Sequence, residues 1–145
     1  MTNNLKLILA SDSDLVDSQI QTILCTISGI EISAKEKDLD RAFELIKIFN
    51  PDLLLLSVNK LNSSAIEKLK RLNKQMTIII LSSNLSSNFA NQWKQAGADY
   101  VFDLTVHLHN FVDVLCELLY QRQLKSMQSN KDTEKPDSAQ FDVII

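Results

Sequence analysis

The chain has 145 residues, 45% of them apolar, which suits one globular domain with a real core. Its net charge of −3 offers no basic excess of the kind that nucleic acid or an anionic membrane surface would select. No apolar stretch approaches the ~20 residues that span a bilayer, and the apolar run after the polar residues 1–4 is only a strand long, so the expectation is a cytoplasmic protein with neither membrane span nor signal peptide.

Along the chain, short apolar runs alternate with stretches of helical period. Residues 5–10 form the first run. After Leu15, apolar residues at Val16, Ile20, Ile23, Leu24 and Ile27 trace one helix face, which Gly29 ends. Residues 30–34 predict a short strand, and Asp38 is placed to cap a second helix whose stripe is Leu39, Ala42, Phe43, Ile46 and Phe49. Pro51 stops that helix. Residues 53–58 are apolar on both faces except at Ser57, as in the middle strand of a covered parallel sheet. Ser64 and Glu67 have the spacing of a capping box, with Ile66, Leu69 and Leu72 as the buried side of a third helix. Residues 76–81 make a fourth strand. Phe89, Ala90, Trp93 and Ala96 mark a fourth helix closed by Gly97, and residues 100–102 a short fifth strand. Leu108, Phe111, Val112, Leu115, Leu118 and Leu119 mark the fifth helix. Cys25 and Cys116 fall within these helical patterns and are expected as buried reduced thiols. The pattern changes after residue 122. Residues 125–140 are polar without period and are expected as a flexible tail, and the chain closes on Phe141, Asp142, Val143, Ile144 and Ile145, an end that is apolar except at Asp142.

Five βα units joined by short loops and right-handed crossovers give an α/β fold, a doubly wound parallel sheet. Functional groups in such sheets gather beyond the carboxyl ends of the strands. Here those ends carry Ser11 and Asp12, Ser57 and Asn59, Ser82 and Ser83, then Asp103 and Leu104. Asp12 and Asp14 precede a helix, and at least one of them is expected to cap it. His107 and His109, two residues apart, would face different ways and make a poor metal pair.

Residues 51–58, PDLLLLSV, resemble the third strand of response-regulator receiver domains, which usually ends in an aspartate. Residues 96–103, AGADYVFD, resemble the fifth-strand signature of stand-alone, chemotaxis-type receivers, where a lysine normally follows. Residues 76–83, MTIIILSS, and 5–12, LKLILASD, are similar to the fourth and first strands, so the resemblance spans about residues 5–120. It implies a flavodoxin-like five-stranded sheet of order 2-1-3-4-5 over residues 1–122, with residues 123–145 as a tail. It also implies a chemistry. Two acids after the first strand and a backbone carbonyl past the third hold Mg²⁺, and the third-strand aspartate takes a phosphoryl group from phosphohistidine. A hydroxyl after the fourth strand and a lysine after the fifth then neutralise the phosphoryl charge.

Carried over by position, Asp12 matches the second acid, Asn59 the carbonyl donor and Ser82 the hydroxyl. Ser11 replaces the first acid, Ser57 the nucleophile and Leu104 the lysine, while Val101 and Thr105 depart from the usual neighbours. A serine cannot form an acyl phosphate and is a weak nucleophile without a base. One remaining carboxylate gives Mg²⁺ little reason to shed its waters, so binding is expected to be weak or absent. The resemblance therefore implies a pseudo-receiver: no enzyme, no cofactor, and action by binding a sensor kinase, another response regulator, an output protein or a second copy. The partner face would be built from Trp93, Tyr100, Val101, His107 and Phe111. Two further readings compete. Asp12-Ser13-Asp14 resembles the nucleophile motif of haloacid-dehalogenase-like phosphatases, with Ser82 as the second motif and Asp99 with Asp103 as the final acidic one, although no cap insertion is present. Alternatively, Asp12, Asn59 and Ser82 retain a residual metal or phosphoryl response.

Overall fold

The computed structural model describes residues 4–57, 61–82, 87–104 and 106–133, with side chains for all of these except 87–89 and 126–133. Strands and helices alternate in order: β1 (Leu5–Ser11), α1 (Asp14–Cys25), β2 (Ile30–Glu36), α2 (Leu39–Phe49), β3 (Leu53–Ser57), α3 (Ser63–Leu72), β4 (Thr77–Ser82), α4 (Ser87–Ala96), β5 (Tyr100–Asp103) and α5 (Leu108–Thr133). The strands pair in parallel in the order β2-β1-β3-β4-β5, the order that the resemblance implied. No helix of the described residues is long and apolar enough to cross a membrane.

The two-residue period of the strands splits the core in two. Ile8, Ala10, Leu54, Leu56, Ile78, Ile80 and Val101 face α2, α3 and α4, meeting Ala42, Ile46, Ile66 and Leu69. Leu7, Leu9, Leu53, Leu55, Ile79 and Leu81 face the other way, onto Ile20 and Leu24 of α1 and Phe111, Leu115 and Leu119 of α5. β3 is apolar on both faces because both are covered.

Several local expectations shift. α3 is capped by Asn62, whose Oδ1 accepts from the Ala65 N–H at 2.8 Å, so Ser64 and Glu67 form no capping box. The cap goes to the residue whose extended backbone precedes the first turn. Phe49, Leu72 and Leu108, at the ends of their stripes, are exposed. Both cysteines are exposed free thiols: each lies beside, and not within, the inward stripe of its helix. α5 runs on to Thr133, so residues 125–133, whose composition predicts part of a flexible tail, are helical. No glycine or proline interrupts the chain there before Pro136. The apolar residues 141–145 lie outside the described residues.

The Gly97–Asp99 turn is locked at the amino end of the sheet. Asp99 Oδ2 accepts from the Ile78 N–H at 2.8 Å and from Lys70 Nζ at 2.7 Å, and Lys70 Nζ also donates to the Met76 carbonyl at 2.7 Å. Gly97 has φ of +132°, and a Cβ there would sit 3.3 Å from the Lys70 side chain, so the lock also requires glycine. Asp99→Ala leaves the Ile78 N–H and the Lys70 ammonium without this acceptor. Because the ion pair is partly exposed, the expected cost is about 1–2 kcal/mol, read as a lower urea midpoint with an unchanged slope.

Candidate functional site

The carboxyl ends of β1, β3 and β4 bring three serines into adjacent positions. Ser11 and Ser57 are Cα partners across β1 and β3, and the Asp12 N–H donates to the Ser57 carbonyl at 3.3 Å. Ser82 ends β4 opposite Asp103 of β5, and its carbonyl accepts from the Leu104 N–H at 3.1 Å. The strand register thus sets Ser11, Asp12, Ser57, Ser82 and Leu104 around one end of the sheet. Asn59 lies outside the described residues.

The side chains are committed differently from one another. Ser11 is buried, and its hydroxyl closes the turn into α1: Oγ donates to the Ser13 carbonyl at 3.1 Å and accepts from the Ser13 N–H at 3.2 Å. Ser13, not Asp12 or Asp14, caps α1, its Oγ accepting from the Val16 N–H at 3.3 Å. Ser13 holds the extended backbone that a cap requires, whereas Asp14 already belongs to the first turn, where its charge suits the helix dipole. Asp14 pairs with Lys37 at 3.0 Å, and Asp17 with Lys35 at 3.7 Å, which ties α1 to the end of β2. The hydrogen bond and charge of Asp14 hold the Lys37 ammonium above its usual pKa. Asp12 is exposed, and Ser57 and Ser82 are half-buried.

Leu104 follows β5 and turns its side chain toward the α1–α5 layer, where it packs against the core and lines a cleft of about 290 Å³ with Gln19, Thr22, Ile23 and Leu108. Among the described residues no three His, Cys, Asp or Glu side chains cluster as a metal site requires. His107 Nδ1 accepts from the Asp103 N–H at 3.0 Å, so that nitrogen is engaged in starting α5.

Of the residues a phosphatase site would use, Asp12, Ser82 and Asp103 share the carboxyl end of the sheet, but Asp99 does not join them. Asp99 sits at the amino end of the sheet, its N–H donating to the Ile78 carbonyl near the start of β4, while Ser82 ends the same strand. Asp14 is turned to Lys37.

The expected partner face needs correction. Phe111 is fully buried and Val101 is 8% exposed, so both are core residues. Val101 alternates onto the α2–α4 side of β5, and the Phe111 ring meets Phe102 at 6.2 Å beneath α5. Trp93, Tyr100 and His107 are half-buried: Trp93 packs on the α2–α4 side, and Tyr100 stacks on Phe102 at 5.8 Å. Among the described residues, Leu15 and Val106, each 71% exposed, carry the most open apolar surface near the carboxyl end, and neither belongs to the face that the sequence predicts. Leu15 had a visible signal: it lies off the stripe traced by Val16, Ile20, Ile23 and Ile27.

No protein-family model matches the sequence, and no curated protein does. Solved structures do match. A two-component response regulator of the LuxR family from Aurantimonas sp. SI85-9A1 superposes with a TM-score of 0.72 at 18% identity, over 82% of this chain and 87% of that one. The signal receiver domain of a putative Luxo repressor protein from Vibrio parahaemolyticus gives a TM-score of 0.70 at 14% identity, over 86% and 96% of the two chains. An orphan response regulator of H. pylori gives 0.68 at 19% identity, over 82% and 99%. The chain has the fold of response-regulator receiver domains.

Proposed function

We propose that this receiver-fold chain is a pseudo-receiver, a signalling module that binds protein partners of a two-component-type system in the cytoplasm without an aspartyl-phosphate switch. The observation that carries the reading is Ser57. It ends the central strand β3 beside Ser11 of β1, where the receiver resemblance expects an aspartate next to an acid. A hydroxyl there has no carboxylate to phosphorylate. Two neighbours support the same reading. The Ser11 hydroxyl is taken up by the backbone of Ser13, and Leu104, at the position where the resemblance expects a lysine, carries no charge and packs into the α1–α5 layer. With leucine in place of the lysine and serine in place of the first acid, the positions that the resemblance assigns lack the cation and one of the Mg²⁺ ligands that would neutralise a bound phosphoryl dianion.

The partners we propose are a sensor kinase, another response regulator or an output protein, with self-association as a further mode. Of the residues assigned to the contact face, Trp93, Tyr100 and His107 remain available, while Val101 and Phe111 act from beneath as support.

The test is a titration of the ¹⁵N-labelled chain with Mg²⁺ and beryllofluoride. The expected result is no saturable shift of the Asp12, Ser57, Ser82 or Leu104 amides at millimolar ligand. Saturable shifts at these four positions would overturn the reading in favour of a receiver with a residual phosphoryl response. Turnover of p-nitrophenyl phosphate abolished by Asp12→Asn would overturn it in favour of a phosphatase.

A further inference from the structure

At the amino end of the sheet, opposite the three serines, α5 crosses the starts of β3 and β4 and leaves a polar cleft of about 290 Å³. We propose that this cleft binds a small oxyanion, carboxylate or phosphate, held chiefly by Arg122 and Lys125.

The charges of the lining point that way. Arg122 and Lys125, three residues apart on α5, both line the cleft, and Asp52 is the one acidic residue that does so, leaving a net charge of +1. Asp52 is already committed on both oxygens: Oδ1 accepts from Arg122 Nη1 at 3.0 Å and Oδ2 from the Lys6 N–H at 2.9 Å. The acid therefore anchors the arginine and leaves the lysine uncompensated by that contact.

The arginine is half used. Its Nη1 holds Asp52, while Nε is buried and has no hydrogen-bond partner among the described residues. The side chain is still 35% exposed. Nε and Nη2 form the second edge of a guanidinium, the edge that a carboxylate or phosphate bridges with two parallel hydrogen bonds. Hydrogen bonds from a guanidinium to an oxyanion are charge-assisted and so stronger than neutral ones.

The opposite wall is preorganised. Asn73 Nδ2 donates to Asn50 Oδ1 at 2.9 Å and to the Pro51 carbonyl at 3.3 Å, and its Oδ1 accepts from the Gln75 N–H at 3.1 Å. This network holds the segment before β4 against the start of β3, so a ligand meets a fixed surface and loses little by ordering it. Its volume, at the low end for small-molecule sites, suits a compact anion and not a nucleotide. Occupancy would join α5, at the point where it leaves the sheet, to the β3–β4 edge.

The test uses the full ¹⁵N-labelled chain, titrated separately with succinate and with inorganic phosphate at ionic strength held constant with sodium chloride. Saturable shifts of the Asn73, Gln75 and Thr77 amides and of the Arg122 Nε–Hε signal are expected, with a midpoint in about the millimolar range. A response to succinate alone identifies a carboxylate site, and a response to phosphate alone a phosphate site. Lys125→Gln is expected to weaken binding about tenfold, Arg122→Met to abolish it, and Asp40→Asn on the exposed surface of α2 to leave it unchanged. Should Arg122→Met fail to fold, Lys125→Gln decides alone, since Lys125 is exposed. Shifts that never saturate, that chloride reproduces, or that Lys125→Gln leaves intact would overturn the proposal.

Discussion

Phe111→Ala is expected to lower the stability of the domain by about 3–5 kcal/mol, a large share of the roughly 5–15 kcal/mol that a domain of this size holds in total. The ring is wholly buried and belongs to the cluster that joins α5 and α1 to the sheet, with Ile20, Leu55, Ile79, Leu81 and Leu115. It also packs at a tilt against Phe102, 6.2 Å between centroids, which adds an aromatic contact to the apolar burial. Truncation leaves a cavity between a central β-sheet and a helix that is held on other sides, so little collapse can offset it. Urea unfolding followed by circular dichroism measures the loss. A cost below about 1 kcal/mol would place Phe111 at a yielding surface and return it to the partner face from which its burial removes it.

Ser57→Asp is expected to remain unlabelled by acetyl phosphate in the presence of Mg²⁺. The new carboxylate would stand beside the Asp12 backbone and next to Ser11, with an apolar side chain at Leu104. The lysines at the end of β2 lie across Asp17 and Asp14, Lys35 pairing with the first and Lys37 with the second, and not at the end of β5 where the resemblance places the cation. Restoring all three positions together, Ser11→Asp with Ser57→Asp and Leu104→Lys, is expected to permit labelling at least about a hundredfold faster, roughly 2.7 kcal/mol of barrier. The gain should be strongly non-additive, because metal, nucleophile and cation act on one transferring group. Phosphate incorporation measured by intact mass gives the rates. Efficient labelling of the single variant would mean that the charges lost at Ser11 and Leu104 matter less than this account requires.

Much of the fold was legible along the chain because the signals are local. The doubly apolar run at Leu53, Leu54, Leu55 and Leu56 reads as a covered central strand, and Asp38, Pro51 and Gly97 punctuate elements through their own backbone preferences. The substitutions at Ser11, Ser57 and Leu104 were equally legible, since they follow from residue identity at the ends of recognisable strands. Boundaries and caps were less so. Asn62 and Ser64 are both competent caps, and only the path of the backbone into α3 selects Asn62.

The sequence by itself determined which chemical groups the site has and lacks: no residue between Ser11 and Leu104 can turn a serine at position 57 into a carboxylate. The tertiary structure decided where each group is spent. Ser11 turns inward to the Ser13 backbone, Asp14 turns to Lys37, and Asp99 is carried to the opposite end of the sheet. It likewise moved Phe111 and Val101 from a presumed contact face into the core, and placed Arg122 and Lys125 over a cleft beside Asp52. The reason is physical. Identity and period are properties of the chain over a few residues, whereas burial and charge partners depend on contacts between segments such as residues 52 and 122, which meet only when the sheet has closed against its helices.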